Sequence, residues 1–210
     1  MYNIKDEKYE PIRLRNVYAY FVSENPSTVF NTTSVFPKID ESVFIGPFSS
    51  VIGDVSIEKD VFVGCSVVLR ADEGSPFYIG SGSNIQDGVI FHGLKNNKFY
   101  VNDNEYSIYV GRKVSIAHGA LIHGPVIIGN HTFVGFRAVV SNAIVEDNCY
   151  IDTGAIVTSG VRISEGKYVP VGAIVDTQKK ADNLLSVSSE QVDFSGKVVD
   201  VNMEFGKNYK

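Results

Sequence analysis

The sequence predicts an all-β solenoid, a parallel β-helix of hexapeptide repeats followed by a C-terminal α-helix. Two observations predict it. An aliphatic or aromatic residue recurs at every sixth position over most of the chain, and glycine, asparagine or aspartate falls near the expected corners. A period of six fits neither the 3.6-residue period of a helix nor the two-residue alternation of a simple strand. Three hexapeptides instead make one triangular coil, and such coils stack at the strand spacing of about 4.8 Å.

The ladder of recurring residues is interrupted at three points. A four-residue insertion precedes Ile79, a longer detour precedes Val110, and one residue is skipped before Val145. The ladder side chains should fill the interior, so that stability is mainly a sum of contacts between neighbouring coils. The ladder residues are Ile45, Val51, Ile57, Val63, Leu69, Ile79, Ile85, Phe91, Val110, Ile116, Ile122, Ile128, Val134, Val140, Val145, Ile151, Val157, Ile163, Val169 and Val175.

The ladder divides the chain into a β-helix domain, residues 1–176, and a C-terminal segment, residues 177–210. The first domain includes an N-terminal extension at residues 1–35 and a protruding loop at about residues 95–109, where the expected ladder positions are polar. After the last ladder residue the period of six is lost, and we expect an amphipathic helix that packs on the β-helix. One face of this helix carries Val198, Val201, Asn202, Phe205 and Tyr209.

Composition and charge limit the class of protein. The 210 residues are 44% hydrophobic and 20% charged with a net charge of −5, which is typical of a globular domain and argues against a nucleic-acid partner. The first residues lack the apolar core of a secretory signal, and no stretch of about 18 apolar residues could span a membrane. Cys65 and Cys149 lack metal-site spacing and are expected to be small buried hydrophobic residues. These features favour a cytoplasmic location.

The ladder also predicts where the histidines lie. His92 and His123 each follow a ladder residue by one place, and those ladder residues are one coil apart when the loop is omitted from the count. The two rings should therefore share one face, in a column with Arg70. His118 lies two places after its ladder residue, one coil above Asp87, and so belongs to the adjacent face.

A threefold assembly would bring the two sets of histidines together. Packing three prisms around an axis sets one face of each chain against the adjacent face of the next. His118 of one subunit would then meet His92 and His123 of its neighbour, with Arg70 opposite Asp87 as an ion pair. Three imidazoles with one open position are typical of a catalytic zinc site, where the pKa of bound water falls towards about 7. Histidines at corners more often make simple hydrogen bonds, which is the interpretation we keep for the remaining histidine, His131.

Five blocks of sequence resemble a known family. They are "LRADEGSPFYIG" (69–80), "SNIQDGVIFHGL" (83–94), "SIAHGALIHGP" (115–125), "YVPVGAIV" (168–175) and "VNMEFGKNY" (201–209). Hexapeptides alone are shared with many acyltransferases, but "RADEG", "NIQDGVIFH" and "AHGALIHGP" in this order are more specific. The blocks resemble γ-class carbonic anhydrases, which are trimeric left-handed β-helices with a metal held between subunits. The resemblance runs from about residue 30 to the C-terminus.

The resemblance implies a carbonic anhydrase, a lyase that interconverts CO2 and bicarbonate through metal-bound hydroxide at the interface of a homotrimer. It makes His92, His118 and His123 the metal ligands, with His118 donated by the adjacent subunit. Imidazole ligands suit Zn2+, Fe2+ or Co2+, with one ion at each subunit interface.

The resemblance also implies roles for other polar residues. Gln86 would hydrogen-bond the metal-bound hydroxide, Glu73 would assist proton removal, and Asn202 would help to orient CO2. Arg70 would help to place bicarbonate. The interface ion pairs would be formed by Arg70, Asp72 and Asp87.

Two departures from the family pattern leave alternatives open. Lys95 stands where the best-known members have a proton-shuttle glutamate, and a lysine with a pKa near 10.4 is a poor proton acceptor at neutral pH. Glu73 or Glu105 could substitute. Asp200 stands where tyrosine is frequent. A metal-binding scaffold with weak or no catalysis is therefore one alternative, and a hexapeptide acyltransferase that binds no metal is another.

Overall fold

The computed structural model describes residues 19–209 and has the predicted architecture. Residues 1–18 of the expected N-terminal extension lie outside the described residues. The strands are β1 Phe21–Ser23, β2 Lys38–Ile39, β3 Phe44–Ile45, β4 Ser50–Gly53, β5 Val55–Ile57, β6 Phe62–Val63, β7 Val68–Ala71, β8 Phe77–Ile79, β9 Asn84–Ile85, β10 Ile90–His92, β11 Phe99–Val101, β12 Asn104–Tyr106, β13 Ile108–Val110, β14 Ser115–Ile116, β15 Leu121–Ile128, β16 Phe133–Val134, β17 Val139–Val145, β18 Tyr150–Ile151, β19 Ile156–Val157, β20 Arg162–Ile163, β21 Lys167–Val169, β22 Ile174–Val175 and β23 Leu185–Ser186. The helices are α1 Gln178–Asp182 and α2 Ser189–Asn208.

The strands form the three faces of a prism. Face 1 contains β1, β4, β7, β10, β19, β22 and the first halves of β15 and β17, whereas face 2 contains β2, β5, β8, β13, β20 and the second halves of β15 and β17. Face 3 contains β3, β6, β9, β14, β16, β18, β21 and β23. Within these faces the described strands pair in parallel, except that β23 is antiparallel to β21. The predicted left-handed β-helix of hexapeptide repeats is therefore confirmed as the fold class.

The ladder residues form the core in the predicted register. On face 1, Leu69 pairs with Phe91 and Phe91 pairs with Ile122. All three side chains are fully buried. Burying one such side chain stabilises the fold by about 1.5–3 kcal/mol, so the repeated column is the main source of stability. The corners take residues that tolerate positive φ, such as Asn148 (φ 57°).

Helix α2 covers a column of outward-facing aromatic residues on face 3. The column has five aromatic residues with two polar residues in its middle. In register along the face, they are Phe44, Phe62, Asn84, Ser115, Phe133, Tyr150 and Tyr168. Phe205 of α2 lies 6.4 Å from Phe62, and Tyr209, the C-cap, stacks 5.2 Å from Phe44, both between ring centroids. The Ser188 side chain accepts a hydrogen bond from the Gln191 backbone in a capping box, which fixes where the helix begins.

The structure adds elements that break the six-residue period. Strand β1, within the range expected as an extension, pairs with β4, and β2 precedes the first ladder residue that the sequence indicated. The protruding loop contains the antiparallel hairpin β11–β12, and the chain rejoins the ladder at Ile108. These elements lie outside the continuous six-residue repeat, so a periodicity argument does not find them. No helix among residues 19–209 is both long and apolar enough to cross a membrane.

Candidate metal and substrate site

His92 and His123 are brought together by strand register on face 1. Ile90 pairs with Leu121 and His92 with His123 across β10 and β15. The Nδ1 atom of His92 lies 3.4 Å from Nε2 of His123, and the rings meet at 60°. Two ligands of a tetrahedral ion with metal–nitrogen bonds of about 2.0–2.1 Å are separated by about 3.3 Å. The spacing of the two nitrogens therefore fits a shared metal ion.

Charged groups surround the Nε2 atom of His92, on the side of the ring away from His123. This Nε2 atom lies 3.2 Å from Nη2 of Arg70, 3.5 Å from Oε1 of Glu73 and 3.7 Å from Oδ1 of Asp72. Arg70 Nε donates to Asp72 Oδ2 at 2.9 Å, so this ion pair forms within one chain. Asp72 Oδ1 is buried and has no hydrogen-bond partner among the described residues. Such carboxylates can accept a hydrogen bond from the ring N–H of a ligating imidazole and so fix its tautomer.

His118 lies on a different corner, after β14 on face 3. Its Nδ1 atom is 3.3 Å from Oδ2 of Asp87, and its ring stacks on Phe136 at 5.8 Å with an interplanar angle of 3°. Asp87 also accepts a hydrogen bond from the Cys65 backbone at 2.7 Å. Asp87 therefore already has partners within the described chain, and its pairing with Arg70 across subunits stays a prediction. Within residues 19–209, no three histidine, cysteine, aspartate or glutamate side chains converge as a metal-binding group.

Gln86 is held by a short chain of buried polar side chains. Its Nε2 atom donates to Asn84 Oδ1 at 2.9 Å, and Asn84 Nδ2 donates to Ser115 Oγ at 2.8 Å. All three residues are buried. Because the amide nitrogen of Gln86 is used in this way, its oxygen remains as a hydrogen-bond acceptor.

A cavity of about 800 Å³ connects Gln86, His118 and Asn202. Asn202 is buried on α2, where its Nδ2 atom donates to the Val198 carbonyl at 2.8 Å. Cys65 is exposed at the edge of this cavity, so the expectation that it is buried is wrong, whereas Cys149 is buried as expected. Partial desolvation, and then the charge of Asp87, raise the pKa of the Cys65 thiol. Most of the wall is apolar, and its residues are Phe44, Pro47, Phe62, Phe133, Phe136, Phe194, Val198, Val201, Phe205 and Tyr209.

Sequence reasoning missed three residues that shape this site. Asn84 and Ser115 position Gln86, and Phe136 supports the His118 ring. A sequence signal existed for the first two: they are the polar residues in an otherwise aromatic column at the position before each ladder residue of face 3. Phe136 also had a signal: it lies two places after Val134, as His118 lies two places after Ile116, so the hexapeptide count places the two side chains one coil apart.

Known proteins share both the sequence and the fold of this chain. A profile of the family described as "Hexapeptide repeat of succinyl-transferase" matches residues 125–159. A carbonic anhydrase from Methanosarcina thermophila is 36% identical over 201 residues, which cover 90% of this chain and 81% of that protein. The chain belongs to the γ-class carbonic anhydrase family.

Other relatives show how varied proteins with this fold are. The carboxysome assembly protein CcmM of Nostoc sp. is 43% identical over 185 residues, covering 88% of this chain and 33% of that protein. The chain thus spans about a third of that relative. A hexapeptide transferase family protein from Anaplasma phagocytophilum has a TM-score of 0.68 at 24% identity, covering 84% and 94% of the two chains. That likeness concerns the fold alone, so membership of the γ-class family rests on the sequence relatives.

Proposed function

We propose that this γ-class family member is a carbonic anhydrase, which interconverts CO2 with bicarbonate and a proton at a metal site between subunits of a homotrimer. The observation that carries the proposal is the 3.4 Å separation of the His92 and His123 nitrogens, in register on one face. His118 supplies a third imidazole from a corner that could face the neighbouring subunit.

The surface of face 1 supports a trimer. Beside the histidine column runs a second outward column in register: Val68, Ile90, Leu121, Val139, Ile156 and Ile174. Ile90 and Ile174 are 43% and 52% exposed. The cavity next to His118 is also lined mainly by apolar residues. Apposing these two surfaces would bury apolar area and bring all three histidines to one place.

The donor set fits a divalent ion such as Zn2+, Fe2+ or Co2+, held by His92, His123 and the neighbouring subunit's His118. When bound, such an ion supplies a nucleophile by lowering the pKa of its water towards about 7.

The chain's own residues would then orient the reactants and move the proton. The free oxygen of Gln86 accepts a hydrogen bond and so sets the direction of the attacking group. The mainly apolar wall of the cavity suits uncharged CO2, with Asn202 as a polar contact. Glu73 provides a carboxylate beside His92 that can take up a proton, and the Arg70 guanidinium attracts the bicarbonate anion.

A scaffold with weak catalysis is the second candidate, because no group evident among the described residues would carry the proton away from the site. Glu105 accepts hydrogen bonds from Tyr100 at 2.6 Å and from Lys98 at 3.1 Å within the hairpin β11–β12. These partners lower the pKa of Glu105, which makes it a weaker proton acceptor. With Lys95 in the usual shuttle position, the proton path depends on Glu73, whose carboxylate lies 3.5 Å from His92. The 43% identical relative is named as an assembly protein, which agrees with a scaffolding role.

Oxygen-isotope exchange between CO2 and water tests the enzyme against the scaffold. We expect the metal-loaded wild-type protein to exchange ¹⁸O above the buffer rate, and to lose the activity when the metal is chelated. A metal-loaded trimer without exchange would refute the enzymatic proposal and leave the scaffold.

Histidine variants test the shared site separately. His118→Ala should reduce bound metal as strongly as His92→Ala, because both rings hold the same ion. His131→Ala is the control and should bind metal normally. A chain that sediments as a monomer and still binds one metal through all three histidines would disprove the intersubunit site.

A further inference from the structure

We infer that Asn31 is a positioning residue for Glu73 and, through it, for proton transfer at the proposed site. The inference rests on the proposed carbonic anhydrase function. Glu73 lies in the corner between β7 and β8, where the backbone turns at Gly74 with a φ of 79°. No strand pairing fixes this corner, so other contacts must determine where the Glu73 side chain points.

Asn31 provides such a contact from a distant part of the chain. Its Nδ2 atom donates a hydrogen bond to the Asp72 carbonyl at 3.1 Å. Its amide also packs against Gly74, where an added Cβ would lie 3.1 Å from the Asn31 Cγ and Oδ1 atoms. Asn31 therefore contacts the residues on both sides of Glu73.

The loop that carries Asn31 is itself fixed by several internal hydrogen bonds. Asn25 is 1% exposed and spans the loop, donating to the Thr33 carbonyl at 2.9 Å and accepting from the Val35 amide at 2.9 Å. Three hydrogen bonds join Thr28 and Asn31: the Thr28 amide and the Thr28 hydroxyl donate to the Asn31 carbonyl at 2.7 and 3.4 Å, and the Asn31 amide donates to the Thr28 hydroxyl at 3.0 Å. Asn31 is thus presented to the corner by a preorganised loop.

The Glu73 carboxylate spans the gap between this corner and the segment after His92. Its Oε2 atom accepts a hydrogen bond from the Lys95 backbone at 3.1 Å, and Oε1 lies 3.5 Å from His92 Nε2. A displacement of about 1 Å is enough to lower a rate that depends on aligned groups. Removing Asn31 would free the corner and so weaken both contacts of the carboxylate.

Hydrogen–deuterium exchange of the Lys95 amide tests this positioning without measuring activity. In the wild-type protein the amide should be protected by Glu73. Asn31→Ala should speed its exchange about tenfold, as expected for a weakened hydrogen bond, and Glu73→Ala, which removes the acceptor, should speed it at least as much. The control is Ser27→Ala, which removes a 3.2 Å bond to the Thr32 carbonyl in the same loop and should leave the Lys95 amide protected.

Kinetics show whether the positioning matters for proton transfer. Asn31→Ala should lower kcat of CO2 hydration about tenfold with KM and bound metal unchanged, and imidazole buffer should restore it by accepting the proton externally. If Asn31→Ala lowers the melting temperature, Asn31→Asp, which keeps the size but lacks the donor, must give the same increase in exchange.

Two results would overturn the inference: wild-type protection of the Lys95 amide in the Asn31 variants, or an equal loss of protection in Ser27→Ala. If the wild-type protein itself catalyses no ¹⁸O exchange between CO2 and water, the proposed function fails. The hydrogen–deuterium exchange rate of the Lys95 amide still decides whether Asn31 positions Glu73.

Discussion

The buried polar chain beneath the cavity gives the sharpest link between structure and activity. Asn84→Ala removes the acceptor of the Gln86 amide and the donor to Ser115, two hydrogen bonds of 2.9 and 2.8 Å. Asn84 is 1% exposed and Ser115 is fully buried, so water cannot readily replace the lost partner. Leaving a buried polar group unpaired costs about 1–3 kcal/mol, and two groups lose a partner here. We expect the free energy of unfolding of the variant to be about 2–6 kcal/mol lower than that of the wild-type protein.

The same substitution should reduce catalysis beyond its effect on stability. Once released from Asn84, the Gln86 amide can rotate, so its oxygen no longer has a fixed direction. Loss of a group that orients a site residue typically costs about 10- to 100-fold, and we expect this decrease in kcat/KM for CO2 hydration. Urea denaturation at fixed protomer concentration gives the stability, and ¹⁸O exchange at a temperature where the variant is folded gives the activity.

Asn130→Ala is the matched control. Asn130 donates from Nδ2 to Asp147 at 2.9 Å and accepts from the Arg112 amide at 3.0 Å, at a corner that does not line the cavity. This variant should lose stability and retain kcat/KM. If Asn84→Ala lost stability and kept wild-type kcat/KM, the proposed role of Gln86 would be refuted.

Three further predictions concern the core, the stack on His118 and the pH dependence of stability. Phe91→Ala should lower the free energy of unfolding by about 3–5 kcal/mol in urea titrations, because the ring is fully buried; a loss below 1 kcal/mol would contradict the ladder as the main source of stability. Phe136→Ala should weaken metal binding about tenfold in competition titrations with a chelator, since the His118 ring loses its stacked support; unchanged affinity would show that Asp87 suffices. Burial raises the pKa of Cys149 from 9.0 to about 11, so the unfolded chain loses this proton first as the pH rises. Stability should therefore decline from about pH 9 to pH 11, and Cys149→Ala should decline less steeply in urea titrations across that range.

Most of the fold could be predicted because the six-residue period of apolar residues is directly visible in the sequence. A residue's place in the hexapeptide fixes its face and its neighbours one coil away. This is why His92 and His123 could be placed in one column, and why His118 could be placed above Asp87. Strand β1 was missed because it lies outside the continuous repeat, although it pairs with β4 in the same register as the coils.

The candidate site was less predictable than the fold. Arg70 was expected to form interface ion pairs with Asp72 and Asp87. Within the chain it binds Asp72, while Asp87 lies against His118, and the pairing of Asp87 with Arg70 across subunits stays a prediction. All of these contacts satisfy the same hexapeptide count, and which of them form depends on side-chain rotamers and on the distance between adjacent corners, which periodicity does not contain.

The sequence by itself determined the coil, its register and the column of histidines. Each follows from the six-residue period, because hydrogen bonds between coils stack residues that hold equivalent positions in the period. Only the tertiary structure decided how the site is supported. The contact of Asn31 with the corner of Glu73 and the packing of α2 on the aromatic column join segments far apart in the chain. The Gln86 amide is held by Asn84, two residues away, but Asn84 is itself bonded to Ser115 on the next coil. Such contacts depend on three-dimensional packing, and no repeat in the sequence encodes them.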